Sequence, residues 1–274
     1  MRPKFALCSE VFQSPIEETI DRIAALGFDG VEIAPFTIAE SVEEISSERR
    51  RTIRERAKDR GIEIVGLHWL LVSPKGLHLT TADSDVRGNT ARYISALADF
   101  CADVGGKVMI LGSPKQRDLL AGTSPREAFD RAVGVLREAA RTCEARGVKL
   151  LVEALHPRET TFLQSIEEAI ALSEAVDSPS VGYMLDCKAM SGMPAGIEGT
   201  IAKHGANAGH FHANEPDGRG PGMSGAIDFR PILHALAESG FDGWISTEPF
   251  DYRPDPEAVA RTALETLRRA APIS

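Results

Sequence analysis

At 274 residues, 43% hydrophobic and 26% charged, the chain has the length of one α/β barrel, about 250 residues, and a composition that excludes a disordered or membrane-embedded protein. Its 40 acidic against 31 basic residues, a formal net charge of −9, repel polyanions and exclude a general nucleic-acid binder, so a small-molecule substrate is favoured. Four widely spaced cysteines (Cys8, Cys101, Cys143, Cys187) without a CxxC pair fit a reducing compartment better than a disulfide framework or a thiolate zinc site. No run approaches the ~18 apolar residues of a membrane span, and a cytoplasmic location with no membrane partner is expected.

Short apolar runs alternate with helical patterns. In chain order, strands are expected near residues 4–9, 30–34, 62–68, 107–112, 149–154, 181–186, 208–212 and 243–248. Five junctions repeat one cassette: AALGFDGVEIAP, KDRGIEIVGLHW, ADVGGKVMILGS, EARGVKLLVEAL and AESGFDGWISTE. Each reads as a helix stopped by glycine, a tight turn and a new strand. Runs such as KVMIL and VKLLV lack polar alternation, as parallel strands covered on both faces do. Ser124-Pro125 with Glu127, and Ser165 with Glu168, have capping-box spacing. Eight βα units predict a (β/α)8 TIM barrel forming a single domain over 1–274. A doubly wound sheet uses the same units, but no GxGxxG turn follows the first strand. The long loops fall after strands 3, 6 and 7, at 69–83, 187–195 and 213–227, where a barrel builds its active site.

Four consecutive strands end in a side chain that can ligate metal: LLVE at Glu153, GYMLD at Asp186, GHFH at His212 and WISTE at Glu248. One acidic strand end is explained by a solvated turn or a helix cap. Four are not, because parallel strands bring their carboxyl ends to one mouth, where three carboxylates repel unless a cation neutralises them. Three oxygen donors and one imidazole suit one divalent ion, Mn2+, Mg2+ or Co2+ before Zn2+, although Zn2+ is also admitted. Such an ion polarises a carbonyl and stabilises an enediolate while Glu153 and Glu248 exchange the proton of the adjacent carbon.

These motifs, with LLVEALHPRET, GYMLDCKAMS, GHFHANEPDGRGPG and WISTEPFDY, resemble the xylose-isomerase-like barrel superfamily of ketose 3-epimerases, hydroxypyruvate isomerase, inosose dehydratase and endonuclease IV. The resemblance spans the chain and implies that Glu153, Asp186, His212 and Glu248 bind the metal, with the two glutamates as the acid/base pair. It further implies substrate contacts from Glu159 and Arg219. Where ketose 3-epimerases carry a substrate-binding histidine, three residues after the strand-6 aspartate, this chain has Ala189. Lys188 beside it is either a cationic donor to a substrate oxygen or a solvated loop residue. Endonuclease IV needs further metal ligands, and the fourth strand ends in ILGSP without one.

His68 and Trp69 end the third strand, and each has two readings: a substrate hydroxyl ligand or a core histidine, and a platform for a sugar face or a barrel roof. Glu32 lines the site or pairs internally, and His210 shares the strand parity of His212 one layer deeper. The GRGPGMSG run is a mobile or tightly folded loop. Arg219 and Arg253 are the basic residues of the last two loops, which leaves phosphorylated and free sugars both open. The expected function is metal-dependent isomerisation or epimerisation of a small carbohydrate. A keto-sugar or keto-inositol lyase or dehydratase, a non-catalytic sugar-binding or partner subunit and a nucleic-acid phosphodiesterase are the alternatives, and a homo-oligomer is compatible with any of them.

Overall fold

The computed structural model describes residues 2–272. Its strands are β1 (Phe5–Cys8), β2 (Gly30–Ile33), β3 (Glu63–Leu67), β4 (Val108–Leu111), β5 (Lys149–Val152), β6 (Val181–Tyr183), β7 (Leu185–Asp186), β8 (Phe211–Ala213) and β9 (Ile245–Thr247). All are paired in parallel in the order β6-β5-β4-β3-β2-β1-β9-β8-β7. β6 and β7 are two pieces of one barrel strand, divided at Met184. Met184 N donates back to Val152 O (3.1 Å), and Leu185 N donates forward to His210 O (3.1 Å). The strand thus changes partner where it is interrupted, and the ring of eight closes.

Eight helices cover the ring: α1 (Ile16–Leu26), α2 (Ser47–Asp59), α3 (Ser84–Val104), α4 (Pro125–Arg146), α5 (Ile166–Val176), α7 (Gly196–His204), α8 (Phe229–Ser239) and α9 (Pro256–Ala270). A short α6 (Cys187–Ser191) lies in the mouth, inside the segment expected to be loop. α9 shows why they dock: Val259, Ala260, Ala263, Leu264, Leu267 and Ala270 fall on one stripe and are buried. The expected caps form, with a full capping box at Ser124 and Glu127 and a Ser165 side chain accepting from Glu168 N. The five cassette glycines, Gly27, Gly61, Gly105, Gly147 and Gly240, all have positive φ, from 63 to 99°.

The two faces of the strands bury different sets. Met109, Leu111, Leu150 and Val152 join the large core beneath the helices, whereas Ile110, Leu151 and Met184 form a separate small cluster, the filling of the barrel. With a period of two, the inward residues one layer above them are Gly112, Glu153 and Asp186. The barrel's own alternation therefore delivers two of the expected ligands to the mouth.

Gly66 in β3 sets how closely β3 and β4 approach: a Cβ there would lie 1.9 Å from Val108 O. The obstacle is backbone, which cannot swing aside. Gly66→Ala is expected to lower stability by about 1–3 kcal/mol, the usual cost of overpacking. Denaturant unfolding of the variant against wild type measures it, and an unchanged midpoint would show that the strands separate freely.

Candidate functional site

Glu153, Asp186, His212 and Glu248 converge at the carboxyl end of the barrel, each offering one donor atom so that all four atoms lie within 4.8 Å of one another. All four side chains are buried. His212 Nδ1 stands 3.0 Å from Glu248 Oε2 and 3.4 Å from Glu153 Oε1, yet it has no hydrogen bond. Its other nitrogen, Nε2, meets Glu32 Oε1 at 3.2 Å. A carboxylate at Nε2 fixes the proton there and leaves the Nδ1 lone pair directed into the carboxylates, the arrangement of an imidazole that ligates a cation. The donor set and this unpartnered atom fit a divalent ion.

Three of the four side chains are held from behind. Glu32, fully buried, also binds His210 Nε2 (2.8 Å) through Oε2 and so orients two imidazoles at once. Asp186 Oδ1 accepts from Ala189 N (2.7 Å) and Oδ2 from Asn214 Nδ2 (2.7 Å), while Asn214 Oδ1 accepts from Lys188 N (2.9 Å). His68 joins Glu248 Oε1 through Nδ1 (3.2 Å) to Glu10 Oε2 through Nε2 (2.9 Å).

The electrostatics follow from this crowding. Burial, then the charges of Glu153 and Glu248, push the Asp186 carboxyl up to about 8. Burial and Glu248 also raise Glu153. Burial acts the same way on Glu248, but His212 and His68 outweigh it and hold that carboxylate down to about 2. Against burial, Glu10 and Glu248 lift His68 to about 10, and Glu248 and Glu32 lift His212 well above the usual histidine range. The cluster thus demands positive charge. At His212 Nδ1 the missing hydrogen-bond geometry favours a cation over a proton.

The cleft above the ligands is lined by His68, Trp69, Gly112, Pro114, Glu153, Leu155, Glu159, Glu248 and Phe250. It brings together five residues singled out in the sequence. Trp69, in a left-handed backbone conformation (φ 53°), packs edge-on against Phe250 with ring centroids 6.1 Å apart. The Lys188 ammonium bonds Glu159 Oε1 and lies 4.6 Å from the Phe250 ring centroid, so its charge is already matched at the wall. Arg219 lies outside the lining: its side chain is 44% exposed and sits 3.6 Å from both Asp217 and Asp251. The glycine-rich loop after β8 is tied down by Glu215, a fully buried carboxylate that accepts from Gly222 N (3.0 Å), Ser224 N (2.6 Å), Gly225 N (3.1 Å) and the Ser224 hydroxyl.

Sequence reasoning missed Glu10, Asn214, Glu215 and Arg117. Asn214 had a signal, since it lies two residues beyond His212 with the same parity. Glu10 follows β1 within a 3-10 turn (Ser9–Phe12), and Arg117 lies in a loop without any periodic pattern, so neither could be placed from spacing.

Glu32→Gln is expected to leave the barrel folded and lower divalent-ion affinity ~10–100-fold, the usual effect of losing a carboxylate behind a ligating histidine. Titration of Mn2+ against a competing chelator measures this, and an affinity equal to wild type would separate Glu32 from the orientation of His212.

Known proteins resemble the chain over most of its length. A D-psicose 3-epimerase of Ruminiclostridium cellulolyticum is 27% identical over 248 residues, covering 90% of this chain and 82% of that protein. An L-ribulose 3-epimerase of Mesorhizobium japonicum is 26% identical, covering 87% and 76%. Among solved structures, a D-psicose 3-epimerase with D-tagatose from Clostridium cellulolyticum H10 superposes with a TM-score of 0.86 at 22% identity, over 98% of this chain and 100% of that one. A 3-keto-D-glucoside 4-epimerase from E. coli gives 0.84 at 18% identity, over 98% and 100%. Residues 20–270 match the profile of one family, and the chain accordingly belongs to the xylose isomerase-like TIM barrel family.

Proposed function

We propose that the protein is a divalent-metal-dependent epimerase or isomerase of a small keto-sugar, working through an enediolate. The observation that carries the reading is the pair of carboxylates on one cleft, each beside the same imidazole nitrogen. Glu248 and Glu153 both line it and both approach His212 Nδ1, so two carboxylates able to exchange a proton face one substrate space. Moving a proton off a carbon and back requires one group able to take it and another able to give it. The relatives supply the substrate class, since those compared above are epimerases of ketoses or of a keto-glucoside.

Glu153, Asp186, His212 and Glu248 would hold the ion, which when bound polarises the sugar carbonyl and stabilises the negative charge that develops on its oxygen. The rest is done by the chain's own groups. Glu248, steadied by His68 at Oε1, takes the proton from the carbon beside the carbonyl. Glu153 returns a proton to that carbon or its neighbour, which decides between epimer and isomer. Trp69 and Phe250 give the sugar an apolar wall that excludes water, and Glu159 and His68 offer hydrogen-bond partners for its hydroxyls. In this reading Lys188 acts as a pair with Glu159 and not as a free cation for a substrate anion.

In D2O the substrate carbon is expected to acquire deuterium during turnover of a ketose panel. Glu153→Gln and Glu248→Gln should each lower kcat ~10²–10⁴-fold, the range for a lost acid/base group. Asp186→Asn should lower metal content ~10-fold or more. Wild-type turnover in either glutamine variant, or full metal occupancy in the asparagine variant, would refute the assignment.

A further inference from the structure

The segment after β4 supplies no ligand to the cluster, but it surrounds one. Gly112 has the inward parity at which β5 and β7 place Glu153 and Asp186, and there it presents no side chain. A Cβ on Gly112 would lie 1.7 Å from Glu153 Oε2 and 3.0 Å from its Cδ. The space beside β4 is therefore filled by the Glu153 carboxylate.

Five residues on, Arg117 is 1% exposed, the largest of the fully buried side chains. A single nitrogen, Nη1, donates to Glu153 O (2.6 Å) and Leu111 O (3.2 Å). Leu111 O also receives Glu153 N at 3.3 Å, so the guanidinium clamps the point where the β4–β5 ladder runs out. Nε and Nη2 are buried without a partner.

We propose that Gly112 and Arg117 form the socket of Glu153: Gly112 clears the room its carboxylate occupies, and Arg117 fixes the carbonyl of the same residue. Both are positioning residues. The inference rests on the reading of Glu153 as a ligand and proton carrier, and it makes this loop a determinant of the site although it touches neither ion nor proton. It also separates two costs. Because the group in the way is the free end of a side chain, Gly112→Ala is absorbed by displacing Glu153 and leaves the fold intact. Because one nitrogen does all the bonding, a lysine ammonium at 117 can replace the guanidinium and methionine cannot.

The test is to determine crystal structures and Mn2+ affinities for Gly112→Ala, Arg117→Met and Arg117→Lys, each alone and combined with Glu153→Ala, alongside melting temperature and kcat. In Gly112→Ala, with the wild-type melting temperature, the Glu153 carboxylate should move ~1 Å or more while Asp186, His212 and Glu248 stay in place, and kcat should fall ~10²-fold, as for a misplacement of that size. Mn2+ affinity should fall ~10-fold in Gly112→Ala and Arg117→Met and stay close to wild type in Arg117→Lys. In the Glu153→Ala background neither Gly112→Ala nor Arg117→Met should weaken Mn2+ further, because the residue they position is gone. An unmoved Glu153 in Gly112→Ala, or an equal loss of affinity in the Glu153→Ala background, overturns the socket. If Arg117→Met does not fold, Gly112→Ala decides alone. Wild-type Mn2+ affinity in Glu153→Ala itself would bring down the site assignment instead, and the displacement in the Gly112→Ala structure still judges the socket separately.

Discussion

Buried negative charge is the constraint around which the rest of the molecule is arranged. Glu10, Glu32, Glu153, Asp186 and Glu248 all lie within the mouth with little or no exposure, and isolated carboxylates in such a place would take up protons instead of staying charged. The structure answers in two ways. Glu32 is shared by His210 and His212, and Glu10 and Glu248 by His68, so two of the five carboxylates are matched by imidazoles alone. Asp186, Glu153 and Glu248 Oε2 have one imidazole, that of His212, between them, with neutral amide donors on Asp186, and they form the set that suits a cation. Burial that would be a defect in a purely structural core is here gathered around one cluster of donor atoms.

The same constraint explains what could be read from the amino-acid sequence. Strand ends at Glu153, Asp186, His212 and Glu248 were legible because parallel strands have a period of two and a common direction, so a polar residue closing an apolar run must emerge at one mouth. Barrel closure was legible from the count of eight βα units. The break at Met184 was not, because an exchange of hydrogen-bond partners between β5 and β8 leaves no trace in an apolar run. Nor were the residues that hold the ligands from behind. Glu10 and Arg117 act across loops, and their roles depend on which backbone carbonyls and imidazoles lie nearby, information that only the folded chain contains. The segment after β4 is unreadable for the same reason, since SPKQRDLLAGT carries no marker that Ser113 and Arg117 within it are buried.

The position of Lys188 shows how a local reading changes in three dimensions. As a residue beside Ala189 it offers a positive charge to a substrate oxygen. In the folded chain its ammonium is taken by Glu159 and rests on Phe250, and a cation so paired presents a polar edge with little net field. This side of the cleft wall therefore carries a balanced pair beside the aromatic surface formed by Trp69 and Phe250.

The loop after β8 has a comparable consequence. In many barrels the amides that follow the seventh strand cradle an anion. Here those amides are already engaged, with Gly222, Ser224 and Gly225 all directed at the Glu215 carboxylate. The chain has in effect supplied its own anion. An incoming phosphate would meet amides blocked by occupancy, not by shape, and would have to evict the buried Glu215 side chain to reach them.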